Sequence, residues 1–134
     1  MKPHVRMVGF AMSVGWLLSS AVQAQSPTFD DIKANFSICV GCHQSESGPS
    51  PRFDPLVYPF RDTHQLNVLL MTRIWNAVAP LHGDAIMPPS PLPPLQSDQL
   101  AEVRLWIEQG ARTGADEATL TAEEIESILG LPNE

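Results

Sequence analysis

Apolar residues recur along this chain at helical rather than alternating spacing. Phe29, Ile32, Phe36 and Val40 lie three or four apart behind Ser26-Pro27-Thr28, and Asp30 and Asp31 fall in the first turn, where they complement a helix dipole. The pattern predicts a helix from about Thr28 to Cys42. Leu66, Leu69, Leu70, Ile74 and Val78 keep the same period and predict a second helix from about Gln65 to Ala79, closed by Pro80. A third is expected behind Ser97 as cap, with Leu100, Val103, Trp106 and Ile107 on one face and Gly110 as the left-handed residue that ends it. Thr121 and Glu124 have capping-box spacing, and Ile125, Ile128 and Leu129 fit a last short helix.

Between these elements, Gln44 to Pro59 hold Gly48, Pro49, Pro51, Pro55 and Pro59, which predicts a long irregular loop. Five prolines among the seven residues Pro88 to Pro94 predict an extended, polyproline-like strap. No run alternates with period two and no internal repeat is evident, so the expected class is all-α with large loops. Phe36 and Trp106 are expected to meet in the core, an aromatic pair that buries a large area.

The first 24 residues read differently. Lys2 and Arg6 precede an uncharged stretch that is most apolar from Met7 to Leu18, followed by Ser19, Ser20 and Ala21-Val22-Gln23-Ala24. This is the layout of a secretory signal peptide cut before Gln25, with Val22 and Ala24 at its −3 and −1 positions. The alternative of an uncleaved anchor needs about 20 apolar residues, and this run is shorter. No Cys follows it, which argues against lipid attachment. The mature domain is therefore expected to be 25–134, exported or periplasmic.

Composition narrows the function. The 134 residues hold 8 Lys and Arg against 15 Asp and Glu, a formal charge of −7, too acidic for a surface that replaces counterions on nucleic acid. Removing 24 of the 134 residues leaves 110, enough for one domain, and losing Lys2 and Arg6 takes the formal charge from −7 to −9. An acidic field of that size favours protein partners with basic docking patches. Two Cys form no disulfide framework, and in an oxidising compartment two thiols three residues apart are not left idle.

Those Cys belong to Cys39-Val40-Gly41-Cys42-His43, the C-x-x-C-H sequence by which c-type haem is attached. On a helix, positions 39, 42 and 43 share a face, so both thiols can form thioethers with the haem vinyls while His43 reaches the iron. Gly41 is small enough to let a ring lie close to the backbone. Three other readings compete: a thioredoxin-like pair, a plain disulfide and a zinc half-site. No strand is predicted before Cys39, as a thioredoxin-like motif needs, and no second Cys or His pair completes a zinc site.

With Met87-Pro88-Pro89 and Trp106-Ile107-Glu108-Gln109-Gly110-Ala111 downstream, the chain from about Phe29 to Ala111 resembles the small single-haem c-type cytochromes. The resemblance implies an all-α cytochrome c fold, one haem held through Cys39 and Cys42, axial ligation by His43 and Met87, and electron transfer without catalysis on a substrate. The loop from Gln44 to Pro59 and the tail after Arg112 match no motif of that family.

Met87 is weighed on its own features. It lies 44 residues after His43, beyond the second helix, and it precedes a stiff strap that can hold a thioether with little entropy to lose. Its rivals are His64, His82 and Met71, of which His82 is nearest in the chain. Arg52, Arg61 and Arg73 are candidate partners for the haem propionates. A vacant or labile sixth position would point instead to a peroxidase-like enzyme or a gas sensor, and absence of haem to a thiol-disulfide protein. Asn35-Phe36-Ser37 matches a glycosylation acceptor but falls within a predicted helix.

Overall fold

The computed structural model describes residues 26–44, 48–79, 86–89, 91–114 and 117–130. The predicted leader, 1–24, lies outside the described residues. The remainder is helical: α1 (Phe29–Ile32), a 3₁₀ segment (Lys33–Cys39), α2 (Val40–His43), α3 (His64–Val78), α4 (Ser97–Glu108) and α5 (Ala122–Leu129). Among the described residues there is no strand, only one isolated parallel bridge between Thr28 and Arg112. The all-α class expected from the periodicity is what is found.

The first predicted helix is present from Thr28 onward but is not continuous α-helix. Between Lys33 and Cys39 it tightens to 3₁₀ winding, in which residues about three apart stack on one line. That turns Asn35 inward beneath Ile32, and its side-chain NH₂ donates to Glu102 Oε2 of α4 at 2.9 Å. The same rewinding carries Val40 out to half-burial and brings Ile38 against the core in its place.

Helix α3 matches its expected span, but the face it buries is rotated. Asn67, Leu70, Met71, Trp75 and Val78 are buried, whereas Leu66 and Leu69 stand 53% and 57% exposed. The cause is Asn67, a polar residue that the apolar count passes over. Its Oδ1 accepts from the Phe60 N–H at 2.8 Å and its Nδ2 donates to the Tyr58 hydroxyl at 3.0 Å. The Thr119 hydroxyl donates to the Ala111 carbonyl at 2.8 Å, so Tyr58 donates its own proton to Thr119 Oγ1 at 2.7 Å. Within this relay Asn67, Tyr58 and Thr119 each find partners, which offsets the cost of burying them. Burial pushes the Tyr58 phenol up, so it stays protonated and available as donor.

The core is assembled around Phe29, whose ring centroid lies 5.4 Å from Trp106, 5.6 Å from Tyr58 and from Phe60, and 5.9 Å from Phe36. Trp106 and Phe36 are both buried, as expected, but the ring neighbours of Trp106 are Phe29 and Tyr58 rather than Phe36. Tyr58 and Phe60 enter from the end of the irregular loop, which is thereby pinned to the core.

Helix α4 buries Val103, Trp106 and Ile107 as its period requires. Its N-cap is Gln96 rather than Ser97: the Gln96 N–H donates to Gln99 Oε1 at 2.8 Å, closing the first turn with an amide instead of a hydroxyl. The helix ends as predicted, with Gly110 at φ 94°, and the Ala111 N–H reaches back to the Trp106 carbonyl at 2.9 Å. The tail returns over this cap, with Thr119 and Leu120 N–H both donating to the Gly110 carbonyl at 2.7 and 3.1 Å. It then forms α5, whose Thr121–Glu124 capping box and buried Ile128 and Leu129 are those expected, and α5 packs on α3 and α4.

Gly110→Ala should be costly twice over. The residue would sit at positive φ, and its Cβ would fall 2.5 Å from the Ala118 Cβ. We expect a loss of roughly 2–4 kcal/mol of stability, seen as a melting temperature lower by on the order of 10 °C.

The second expectation is acid sensitivity at α5. The Thr121 N–H, and after it His64, hold the Glu124 carboxyl below its ordinary value near 4.5, against its partial burial. A carboxyl depressed in the folded state contributes its stability above the unfolded value and loses it as pH falls through the folded one. Glu124→Gln keeps the cap geometry but not the charge, so urea midpoints compared at pH 7 and pH 3 should differ less in the variant than in the parent.

Candidate functional site

The C-x-x-C-H residues lie where the 3₁₀ segment passes into α2. Cys39 has helical backbone angles, φ −79° and ψ −21°, so the helical path is unbroken into Val40–His43 and positions 39, 42 and 43 share a face as predicted. Cys39 and His43 are half-buried and Cys42 is exposed. Both thiols are free. Burial pushes the Cys39 thiol up, with Cys42 adding to the effect. Among the described residues a Cβ on Gly41 would meet nothing within 4 Å, so their packing does not call for glycine there.

His43 is oriented from outside its helix. Its Nδ1 lies 2.7 Å from the Pro51 carbonyl oxygen, which can only accept, so Nδ1 bears a proton and Nε2 is the nitrogen of the neutral ring that carries the lone pair. The Phe53 N–H donates to the His43 carbonyl at 3.1 Å, and the two rings lie 5.5 Å apart. The loop that matched no motif thus forms one wall of the site.

A cavity of about 220 Å³ opens beside these residues, lined by Cys39, His43 and Phe53 on one side, by Leu70, Ile74 and Val78 of α3 on another, and by Ile86 and Met87 across from them. A second cavity of about 60 Å³ shares Cys39, His43 and Met87 and adds Cys42, Ile38 and Pro89. The walls are apolar apart from the sulfur and imidazole groups, Ser50 and Arg73.

Met87 is tied to α3: its N–H and that of Ile86 both donate to the Ala77 carbonyl at 2.9 Å, an acceptor that the helix end leaves free. The strap beyond it is not extended throughout. Leu92, one of its few residues with an N–H, donates to the Pro89 carbonyl at 3.0 Å and makes a turn.

Two of the three rival ligands are engaged away from the cavities. Met71 is buried in the core with its sulfur 3.4 Å from the Tyr58 hydroxyl, and His64 lies at the start of α3 with Nε2 2.7 Å from Glu124 Oε1. Neither lines the two cavities. His82 lies outside the described residues. Of the three arginines only Arg73 lines the larger cavity, while Arg52 is exposed and Arg61 half-buried elsewhere. Among the described residues no three His, Cys, Asp or Glu side chains converge as a metal cluster, and no helix is long and apolar enough to cross a membrane.

Sequence reasoning missed Phe53 and the Pro51 and Ala77 carbonyls. Phe53 left a signal, as the one aromatic between Gln44 and Val57; a backbone carbonyl leaves none. Comparison of the chain with protein-family models, with curated proteins and with solved structures finds no match in any of the three.

Proposed function

We propose that the chain is an exported single-haem electron-transfer protein with the cytochrome c fold. The observation that carries this reading is that Cys39, His43 and Met87 border one apolar cleft while Met71 and His64 are committed elsewhere. The donor set fits the group: two thiols for covalent attachment, an imidazole whose free nitrogen is a base, a thioether, and apolar walls for a macrocycle. When bound, haem supplies a one-electron Fe(III)/Fe(II) couple.

The chain's own residues account for the rest. Cys39 and Cys42 would hold the macrocycle by thioether bonds, His43 and Met87 would ligate its iron, and Arg73 would be the cation available to the propionates. The Pro51 carbonyl, by accepting the hydrogen bond from Nδ1–H, fixes the tautomer and the direction of the imidazole. Apolar residues of α3 would keep water from the group, and a Met87 thioether ligand would favour the reduced iron relative to a second imidazole. No group in this set does bond chemistry on a substrate. The partners proposed are redox proteins with basic docking patches, in keeping with the formal charge of −7.

The thiol-disulfide alternative is disfavoured by what precedes Cys39: a thioredoxin-like pair follows a strand, and among the described residues the segment before Cys39 is helical.

Changing both Cys39 and Cys42 to Ala should leave no haem with the chain after denaturation, read by haem stain on a denaturing gel. Haem that still migrates with the double variant would refute covalent attachment at this motif. For the sixth ligand, oxidised parent protein should show the weak far-red band of thioether ligation, and Met87→Ala should abolish it, lower the potential and admit small exogenous ligands. If the parent lacks the band and His82→Ala changes the spectrum instead, the ligation is by two imidazoles. Ready binding of exogenous ligands by the parent would favour the sensor or peroxidase reading.

A further inference from the structure

His43 is the last residue of α2, at the end of a helical path that runs without a break from α1 through the 3₁₀ segment. That path sets its backbone, and the imidazole is oriented from elsewhere. The Pro51 carbonyl takes the Nδ1 proton at 2.7 Å, but one hydrogen bond fixes one point of a ring and leaves the plane free to tilt about it. Phe53 supplies the second constraint from both its backbone and its side chain. Its N–H donates to the His43 carbonyl at 3.1 Å, and its ring lies 5.5 Å from the imidazole at an angle of 37°.

Phe53 is itself braced. Its ring meets Phe60 at 5.4 Å and 73°, and Phe60 stands edge-on to Phe29 at 5.6 Å and 84°. A line of aromatic contacts therefore runs from the centre of the core to His43.

We propose that Phe53 is the positioning residue of the His43 imidazole, holding the ring plane and keeping water from the bond between Nδ1 and the Pro51 carbonyl. The proposal rests on the reading of His43 as an iron ligand and adds a residue to it. In apolar surroundings that hydrogen bond is stronger than in water, and the nitrogen opposite it stays basic and fixed in direction.

The test uses the reduced, haem-loaded protein and follows solvent exchange of the His43 Nδ1 proton by NMR. Phe53→Ala should speed that exchange by roughly fivefold to tenfold, the range expected when an aromatic contact is lost. Phe53→Leu, which keeps apolar volume without the ring, should fall between, and Phe53→Tyr should return to within about twofold of the parent. The Ala111 amide, bonded to the Trp106 carbonyl at 2.9 Å, is the internal reference for general loosening. If the Nδ1 proton speeds up no more than that amide in Phe53→Ala and Phe53→Leu, the proposal is wrong and Phe53 only packs. A parent protein that takes up no haem refutes the ligand reading beneath it. A haem-loaded parent whose variants exchange like it overturns the proposal alone.

Discussion

The packing of four rings around Phe29 is the constraint on which the rest of this small protein depends. The elements that bear the candidate site have almost no stability of their own: α2 is one turn, and Met87 lies in a strap with few backbone donors. Their positions come from the core. Phe29 and Phe36 fix the start of the segment that becomes α2, Tyr58 and Phe60 fix the end of the loop, and Trp106 fixes α4 beneath both. Close-packed interiors transmit displacement instead of absorbing it, so a shift at Phe29 would move the walls of the cleft.

Polar groups complete what the rings begin by tying the helices to the loop and to the tail. Asn67 links α3 to the Tyr58–Phe60 corner, and Thr119 links Tyr58 to the end of α4 through the Ala111 carbonyl. The tail after Arg112 is thus part of the domain. It closes the α4 terminus, where Gly110 and Ala111 take positive φ and turn the last carbonyls toward Thr119 and Leu120. A positive φ at a non-glycine residue costs stability, and the buried Ala111 is held there by bonds on both sides of it.

Much of this was legible in the sequence, and the failures share a cause. Periodicity located α3, α4 and α5, and cap chemistry marked Gly110 and the Thr121–Glu124 box, because those signals are local. The buried face of α3 was misread because Asn67 is polar: its burial is decided by partners at Phe60 and Tyr58, which no window on α3 contains. Asn35, in the 3₁₀ segment before Cys39, likewise finds its partner in Glu102, 67 residues farther along the chain. At the site, Cys39, Cys42, His43 and Met87 were readable from residue type and order. What holds them was not, because two of the three supports are backbone carbonyls, which every residue possesses and no sequence distinguishes.

Those carbonyls also explain why the site can be assembled from weak parts. A helix end leaves its last acceptors unpaired, and at α3 the Ala77 carbonyl takes two donors from the strap, so the same bonds that satisfy the helix place Met87. On the opposite wall the Pro51 carbonyl, in a loop with no regular partner, finds its donor in the imidazole. Each support removes an unsatisfied group and positions a candidate ligand at once. Thioether is a weak, neutral donor that gains little from charge, so the direction in which the chain holds it matters more than for an imidazole or thiolate. Anchoring Met87 through backbone at its own position and at Ile86 would leave only its side-chain torsions to be ordered were the sulfur to engage iron, and half-burial against the core already restricts those.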